Sequence, residues 1–229
     1  MKSISRSVTS NQLTVHDDLA TVVNKHLNSE FKKPIAAHTT DAYQAAIAQI
    51  NNRKLILDSG CGNGKSTLAI ANQYPDAFVI GIDKSSHRIG KLSSHNQSDA
   101  AAQNYTIIRA DLIDFWRLSA NDNLQLHRHF ILYPNPWPKK HHLKRRWHGS
   151  PVFKQLLKLG GQLELRSNWP IYINEFAQAL TLAGFDSRSS KISMQQDNGI
   201  TDFETKYHLS GQTLWQLTAN LDISSNIKV

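Results

Sequence analysis

Residues 58–66 read Asp-Ser-Gly-Cys-Gly-Asn-Gly-Lys-Ser and lie between a predicted strand, 54–58, and a predicted helix, 66–74. Glycines in a strand-to-helix turn let a ligand approach the backbone amides closely, because no side chain stands in the way. Three ligand classes compete for such a turn: a dinucleotide, a nucleoside triphosphate and a methyl donor. The spacing of the glycines separates these three classes.

The dinucleotide pattern G-x-G-x-x-G would need a glycine at position 65, which is occupied by Lys65. The phosphate-loop pattern G-x-x-x-x-G-K-[ST] matches its last three positions, 64–66, but its first glycine would fall on Ser59. A phosphate-binding loop therefore stays open as an alternative. A methyl-donor loop, which is a strand-end acid followed by G-x-G-x-G, matches at every position: Asp58, Gly60, Gly62 and Gly64.

Outward from this turn, strands and helices alternate along the chain. Further strands are predicted at 78–83, 105–109, 129–133 and 162–166, with helical or looped segments between them. This alternation predicts an α/β fold with a doubly wound, mostly parallel sheet. Residues 190–195 and 213–219 are predicted to form an antiparallel hairpin at the edge of the sheet. Residues 12–50 are predicted to be helical, with a second helix that Thr40 or Asp41 could cap, and residues 1–11 to form a loose tail.

Two more acidic residues follow neighbouring predicted strands. Asp83 ends the second strand, 19 residues after Gly64, where a carboxylate can accept hydrogen bonds from both hydroxyls of a ribose. Asp111 follows the third strand, where it could accept from the amino group of an adenine. Each acid by itself could equally be a helix cap. Together with Asp58 they favour a cradle for an adenosine-containing ligand.

A rigid segment follows the fourth predicted strand. Asn135 lies between two prolines at the carboxyl end of a central strand, which is where substrates bind in such sheets. Residues 139–148 then contain five Lys or Arg and three His, flanked and interrupted by Trp137 and Trp147. Cations beside aromatic rings suit phosphates and stacked bases, so we favour nucleic-acid contact over a merely solvated surface.

Composition narrows the class of protein. Lys and Arg number 26 against 18 Asp and Glu, a formal charge of +8, which allows a polyanionic partner. A single cysteine, Cys61, excludes an internal disulfide and suits a reducing, cytoplasmic location. No apolar stretch approaches the ~20 residues of a membrane span. We expect no metal, since His141, His142 and His148 are interpreted as surface imidazoles.

Taken together, these motifs resemble the bacterial tRNA (guanine-N7)-methyltransferase family, called TrmB-like. The resemblance covers residues from about 55 to 217, and its most specific part is the proline-tryptophan block followed by Lys-Arg-Arg. The matching pieces are the loop 58–64, Gly81-Ile82-Asp83, Ala110-Asp111, the block 134–139 with 144–146, and Thr201-Asp202-Phe203-Glu204. It implies a Rossmann-like class I methyltransferase fold, the cofactor S-adenosylmethionine with S-adenosylhomocysteine as product, and tRNA as partner, in a monomer or homodimer.

The resemblance also implies roles for individual residues. The methyl donor is held by the loop glycines 60, 62 and 64 and by Asp58, Asp83 and Asp111. Asn135 contacts the donor and orients the acceptor base, and we assign it as the catalytic residue. Residues implied in substrate binding are Lys139, Lys144, Arg145, Arg146, Asn168, Thr201, Asp202, Phe203 and Glu204. We expect residues 1–50 to form a tail and helices that pack on a methyltransferase domain, 51–229.

Two positions depart from the family pattern. The family usually has aspartate where this chain has Asn135, and Thr-Asp where it has Ser167-Asn168. An amide can still orient a base through its carbonyl oxygen, but it stabilises a cationic product less well than a carboxylate. Three alternatives therefore stay open: methylation of another RNA, a protein or a small molecule; a phosphate-loop nucleotide hydrolase using Lys65 and Ser66; and RNA binding without catalysis.

Three further predictions concern side chains near these motifs. Glu164 and Arg166 lie on the fifth predicted strand, and we expect one to face the site while the other pairs structurally. Trp169 and Trp215 are expected in the core. Cys61 is interpreted as a small residue within the ligand-holding turn and not as a nucleophile.

Overall fold

A seven-stranded sheet organises the chain, with strand order β3-β2-β1-β4-β5-β7-β6. The computed structural model describes residues 5–90, 104–194 and 199–222. Strands β1 to β5 pair in parallel, whereas β7 runs antiparallel to both β5 and β6. The strands are β1 (Lys54–Ser59), β2 (Ala77–Asp83), β3 (Tyr105–Arg109), β4 (Arg128–Leu132), β5 (Gln162–Ser167), β6 (Ser187–Lys191) and β7 (Trp215–Asn220).

Helices lie between the strands and ahead of the first one. Two 3-10 segments, Lys140–Arg145 and Trp147–Gly149, follow β4. The α-helices are α1 (Leu19–Leu27), α2 (Ala37–Ile47), α3 (Lys65–Gln73), α4 (Ser86–Ile89), α5 (Leu112–Asn121), α6 (Phe153–Lys158), α7 (Pro170–Leu182) and α8 (Asp202–Leu209). This alternation confirms the predicted α/β fold with a mostly parallel, doubly wound sheet and an antiparallel edge.

Strands β1 and β2 are buried on both faces because helices cover both sides of the sheet. Every residue of β2 is buried, and in β1 only Lys54 is exposed. Such unbroken apolar runs are typical of parallel strands, whereas an antiparallel edge strand alternates. At the far edge, β6 has the sequence Ser-Arg-Ser-Ser-Lys and is largely exposed. The carboxyl ends of β1, β2, β4 and β5 consequently lie on one edge of a rigid core.

Helices α1 and α2 belong to the main apolar core. Leu19, Val23, Tyr43 and Ala46 are all buried within it. The Tyr43 ring packs edge-on against Phe115 of α5, with ring centroids 5.1 Å apart, and its hydroxyl donates to Asp122 at 2.7 Å. The two N-terminal helices therefore close one face of the sheet.

Several predicted element bounds were wrong. Residues 12–50 contain two helices, α1 and α2, which residues 28–36 separate, and α2 begins at Ala37, ahead of the predicted caps Thr40 and Asp41. The edge hairpin is formed by 187–191 and 215–220, not by 190–195 and 213–219, and position 195 lies outside the described residues. The sequence Ser187–Lys191 has no apolar alternation, so periodicity could not mark this strand.

The prediction of a loose tail was also wrong for residues 5–11; residues 1–4 lie outside the described part of the chain. Ser5 N donates to Ser210 Oγ at 2.8 Å, and the Ser5 carbonyl accepts from Gln212 Nε2 at 3.0 Å. Ser10 Oγ donates to the Pro138 carbonyl at 2.5 Å. Tertiary hydrogen bonds to distant segments hold this polar stretch, and local sequence does not reveal such bonds.

Candidate active site

The glycine loop between β1 and α3 depends on left-handed backbone angles. Gly60, Gly62 and Gly64 have φ of 86°, 61° and 85°, a region that favours glycine. The backbone amides of Gly60 and Cys61 both donate to the Ile82 carbonyl, at 2.8 and 3.0 Å, which ties the loop to β2. A Cβ atom added at Gly60 or Gly62 would meet nothing within 4 Å. Hydrogen bonds to β2 therefore hold one side of the loop, while the space beside Gly60 and Gly62 is open, which fits a bound ligand.

Asp58 ties the two ends of this loop together through hydrogen bonds in the protein interior. Its carboxylate is buried and accepts from Ser66 Oγ at 2.6 Å and Thr67 Oγ1 at 2.7 Å. Burial raises the pKa of Asp58 to about 6, although the two hydroxyl donors oppose the rise. A Cβ at Gly81 would lie 2.3 Å from Thr67 Oγ1, so Gly81 makes room for this contact. The Gly81-Ile82-Asp83 motif is visible in the sequence, whereas the role of the two hydroxyls was not predicted, although the Ser-Thr pair opening α3 could have signalled it.

Asp83 lies beside the loop at the end of β2. Its two carboxylate oxygens accept one backbone N–H each, from Gly62 at 3.0 Å and from Ser85 at 2.8 Å. The Arg88 guanidinium lies 3.6 Å from the carboxylate. Each carboxylate oxygen carries two lone pairs, so acceptor capacity is left for a ligand.

Asp111, at the end of β3, acts as a helix cap. Its side chain accepts from Ile113 N at 2.9 Å at the start of α5, and its own backbone N–H donates to Thr39 Oγ1 at 3.2 Å. One carboxylate oxygen of Asp111 therefore caps α5, as the alternative interpretation expected. Asp58 and Asp83 lie at the carboxyl ends of β1 and β2, and Asp111 follows the adjacent strand β3, so the three acids share one edge of the sheet.

The loop after β4, residues 133–139, carries backbone strain. Tyr133 and Trp137 have φ of 52° and 46°, values unusual for residues with a side chain. Such strain is concentrated at functional sites and persists only where surrounding contacts fix it. Asn135, between these two residues, is exposed, and its Oδ1 accepts from Trp137 N at 3.3 Å. We call residues 133–139 the acceptor loop.

Helix α8 connects the acceptor loop with the glycine loop. Thr201 caps it by accepting from Glu204 N at 2.9 Å. Glu204 is buried, and its carboxylate accepts from Tyr133 Oη at 2.9 Å and Arg166 Nη1 at 2.6 Å. Asp202 accepts from Asn63 Nδ2 at 2.8 Å. The motif predicted to close over the acceptor thus bridges the glycine loop and the acceptor loop, but Glu204, predicted to bind substrate, is buried and its carboxylate is engaged inside the protein.

The partners of Glu164 and Arg166 are now defined. The two side chains pair with each other at 2.6 Å, and Arg166 also reaches Glu204 of α8. Arg166 is therefore the one directed towards α8. Trp169 is buried as expected, whereas Trp215 is only partly buried, with the Lys191 ammonium 5.4 Å from its ring centroid.

The basic run divides into exposed and buried members. Lys139, Lys144 and Arg145 are exposed, and the Arg145 guanidinium lies 4.8 Å from the Trp137 ring centroid. Arg146 was predicted to bind substrate, and here the structure corrects the prediction because the side chain is fully buried. Its guanidinium donates to the Trp137 carbonyl from Nε at 3.3 Å and from Nη2 at 3.1 Å. Arg146 therefore hydrogen-bonds to the backbone of the acceptor loop from the protein interior and does not face solvent.

A buried polar cluster centred on Glu175 of α7 surrounds Arg146. The Glu175 carboxylate accepts from Arg146 Nη1 at 2.5 Å, from His148 Nε2 at 2.9 Å and from Gln12 Nε2 at 2.6 Å. His148 is fully buried, which corrects its interpretation as a surface imidazole. The role of Glu175 was not predicted from the sequence, although a carboxylate adjacent to Phe176 on a buried helix face indicates a buried partner.

Asn168, at the end of β5, is held by a residue that no motif marks. Its Nδ2 donates to Gln212 Oε1 at 2.8 Å. Gln212 lies between α8 and β7, and its own amide nitrogen donates to Ser5. Asn168 follows β5 and Asn135 follows the adjacent strand β4, so both amides lie at the same edge of the sheet.

Comparison with known proteins identifies the family. A family described as "Putative methyltransferase" matches residues 52–217, which is more than half of the chain. The chain belongs to this family, the TrmB-like methyltransferases. The tRNA (guanine-N(7)-)-methyltransferase of Acidithiobacillus ferrooxidans is 30% identical over 174 residues, 73% of this chain and 75% of the relative. That of Nitrosococcus oceani is 31% identical over 186 residues, 78% and 77% of the two chains.

Solved structures agree on the fold. An antibiotic-related methyltransferase matches with a TM-score of 0.58 at 14% identity, covering 82% of this chain and 96% of that one. A variant of the 16S rRNA (adenine(1408)-N(1))-methyltransferase of Catenulisporales acidiphilia, with its cosubstrate, matches with a TM-score of 0.57 at 17% identity, covering 82% and 93%. The chain therefore has the Rossmann-like class I methyltransferase fold, and membership of the class implies use of S-adenosylmethionine.

The described residues also bear on a membrane span, a metal site and the phosphate-loop alternative. No helix among them is long and apolar enough to cross a membrane. Residues 5–90, 104–194 and 199–222 contain no group of three or more His, Cys, Asp or Glu placed to hold a metal ion.

Lys65, the lysine of the phosphate-loop alternative, lies 3.5 Å from Asp202. The family match removes the hydrolase alternative.

Proposed function

We propose that this methyltransferase forms N7-methylguanine in tRNA, within the cytoplasm. One observation carries the proposal: the glycine loop, Asn135 and Asn168 follow the adjacent strands β1, β4 and β5, and exposed cations border them. The names of the relatives at about 30% identity support tRNA as the substrate. Phosphate contacts position a nucleic acid, whereas contacts to base edges select the nucleotide. The edge offers side chains for both tasks.

Each part of the edge has a proposed role. Bound S-adenosylmethionine supplies an electrophilic methyl group. Asp83 accepts hydrogen bonds from the ribose hydroxyls, Asp111 contacts the adenine, and Asp58 keeps the glycine loop in its open shape. Guanine N7 already carries an exposed lone pair, so no base is required, and positioning supplies most of the rate. Asn135 and Asn168 orient the base edge, while Thr201, Asp202 and Phe203 complete the mouth of the pocket.

Methylation of tRNA by the purified protein tests the proposal directly. We expect incubation with isotope-labelled S-adenosylmethionine and total tRNA from a strain lacking 7-methylguanosine to yield labelled 7-methylguanosine, measured by nucleoside mass spectrometry. The same assay reports any other methylated nucleoside. A label confined to another nucleoside would refute the guanine-N7 assignment, and a label confined to protein or a small molecule would refute the nucleic-acid acceptor.

The exposed cations of the basic run are expected to contact phosphates. Replacing Lys144 or Arg145 by alanine should weaken tRNA binding and lower the slope of log K against log salt by roughly 1, because one counterion fewer is released. Filter binding across a salt series measures this slope. Lys54→Ala is the matched control, since Lys54 is an exposed cation at the opposite end of β1. Equal slope changes in all three variants would contradict the proposed tRNA surface.

A further inference from the structure

The side chain of Asn168 has a fixed polarity at the acceptor edge. An amide side chain can present either its N–H groups or its carbonyl oxygen, and these recognise opposite partners. Which group faces a substrate is decided by what the other group binds. In this chain the deciding contacts run from Asn168 through Gln212 to the backbone of Ser5.

This chain of hydrogen bonds has only one consistent direction. The Ser5 carbonyl can only accept, so the Gln212 atom 3.0 Å away must be the amide nitrogen Nε2. Gln212 therefore turns its carbonyl oxygen towards Asn168, whose Nδ2 donates to it at 2.8 Å. Asn168 is left with its carbonyl oxygen, Oδ1, as the acceptor for a further partner, besides the second N–H of Nδ2. A backbone group thus sets the orientation of two side-chain amides in series.

Ser5 is itself held in place by hydrogen bonds, so its carbonyl keeps the position from which it orients Gln212. Its backbone N–H donates to Ser210 Oγ at 2.8 Å, and that hydroxyl donates in turn to the Lys206 carbonyl of α8 at 2.7 Å. Ser5 is therefore bound on both sides of its backbone by residues 206–212. Gln212 lies at the centre of this small network, between the N-terminal segment and the end of β5.

The location of Asn168 shows what its free oxygen would meet. Strand β5 is parallel to β4, with Leu132 beside Arg166, and Tyr133 N donates to the Arg166 carbonyl at 2.9 Å. Asn168 therefore leaves the sheet directly beside the start of the acceptor loop. A base held against Asn135 and the glycine loop would turn its far edge towards β5.

We propose that Gln212 is a positioning residue that fixes Asn168 with its carbonyl oxygen towards the acceptor base, so that the site selects a base edge rich in N–H donors. This inference rests on the proposed function. Guanine carries such an edge, with N1–H and the N2 amino group side by side, on the side of the ring opposite N7. Adenine has a bare N1 acceptor at the corresponding place, which would face an oxygen. Gln212 thereby lets an asparagine accept as a carboxylate would.

Two single variants separate this role from simple anchoring of Ser5. Gln212→Lys can still donate to the Ser5 carbonyl, but it would donate to Asn168 Oδ1 as well and turn Nδ2 towards the base. Gln212→Glu loses the bond to Ser5 but still accepts from Asn168 Nδ2. We therefore expect Gln212→Lys to lower kcat for 7-methylguanosine formation by roughly 10- to 100-fold, because the base would meet an N–H donor in place of an acceptor, and Gln212→Glu to lower it less.

A double variant provides the rescue. In Gln212→Lys combined with Asn168→Asp, the carboxylate can accept from the lysine with one oxygen and from the base with the other. We expect this double variant to recover most of the kcat lost in Gln212→Lys alone. Affinity for S-adenosylhomocysteine, measured by calorimetry, should match the wild type in all three variants, since the glycine loop is untouched.

Each outcome decides the inference. A Gln212→Glu loss as large as that of Gln212→Lys, or a double variant as impaired as Gln212→Lys, would overturn it. Loss of S-adenosylhomocysteine binding in Gln212→Lys would overturn it too, because Gln212 would then support the whole site. If the wild-type protein forms 7-methylguanosine and the rescue fails, only the role of Gln212 is wrong. If the wild type methylates another nucleoside, the proposed function itself fails.

Discussion

Asp83→Ala is expected to abolish binding of S-adenosylmethionine in a calorimetric titration. The Asp83 carboxylate is buried, one of its oxygens holds Gly62 of the glycine loop, and it is proposed to accept from both ribose hydroxyls. Loss of two hydrogen bonds to a charged acceptor costs about 3 to 6 kcal/mol, at about 1.5 to 3 kcal/mol each. This corresponds to a fall in affinity of roughly 100-fold or more.

Two further variants make the Asp83 experiment specific. Asp83→Asn keeps one acceptor oxygen and should lose less affinity than Asp83→Ala. Asp76→Ala removes an exposed carboxylate just before the other end of β2 and should leave affinity unchanged. Retention of wild-type affinity by Asp83→Ala would remove the ribose assignment.

Glu175→Ala is expected to destabilise the fold by about 3 to 5 kcal/mol. The substitution leaves the buried guanidinium of Arg146 without its counter-ion and removes the acceptor of His148 and Gln12. Breaking a buried ion pair from one side has a cost of this size, because the remaining charge stays out of water. Urea-induced unfolding followed by circular dichroism measures the change. The free energy of unfolding of Glu175→Gln should lie between those of the wild type and Glu175→Ala.

An exposed ion pair provides the control for Glu175. Lys140 and Asp17 lie 2.6 Å apart, but their side chains are 53% and 75% exposed. Asp17→Ala should therefore change the free energy of unfolding by less than about 1 kcal/mol. Similar losses for the two substitutions would show that the Glu175 cluster does not stabilise the fold.

Acid should weaken the same cluster. Burial by itself would raise the pKa of Glu175, but the hydrogen bonds and charges of His148 and Arg146 lower it to about 2, from an ordinary value of 4.5. A carboxyl whose pKa is lower in the folded state contributes stability above its unfolded pKa. This contribution is therefore fully present above about pH 4.5 and is lost as the pH falls towards 2.

The fold could be predicted, and the glycine loop and the acids at the strand ends could be located, because their signals are local. The spacing of Gly60, Gly62 and Gly64 reflects backbone angles that only a few residues determine. Alternating strands and helices likewise identify a parallel sheet from short stretches. The acids at 58, 83 and 111 follow strand ends, and the order of the strands then places them on one edge.

The supports of the acceptor side could not be predicted, because partners distant in sequence decide them. Arg146 belongs to a run of cations that looks exposed, yet Glu175 and Gln12 bury it. Gln212 has no motif, and its contacts reach Asn168 and Ser5, 207 residues away. Charge and periodicity describe a residue and its near neighbours, whereas burial depends on which segments the fold brings together.

The cluster around Glu175 has a consequence for protein engineering. Its hydrogen bonds join three separate stretches of chain: residues 12–16, the span from 137 to 148, and α7. A chimera that received residues 133–148 of this protein alone would separate Arg146 from the Glu175 carboxylate that pairs with it. Grafts that exchange specificity between relatives must therefore transfer all three stretches as one unit.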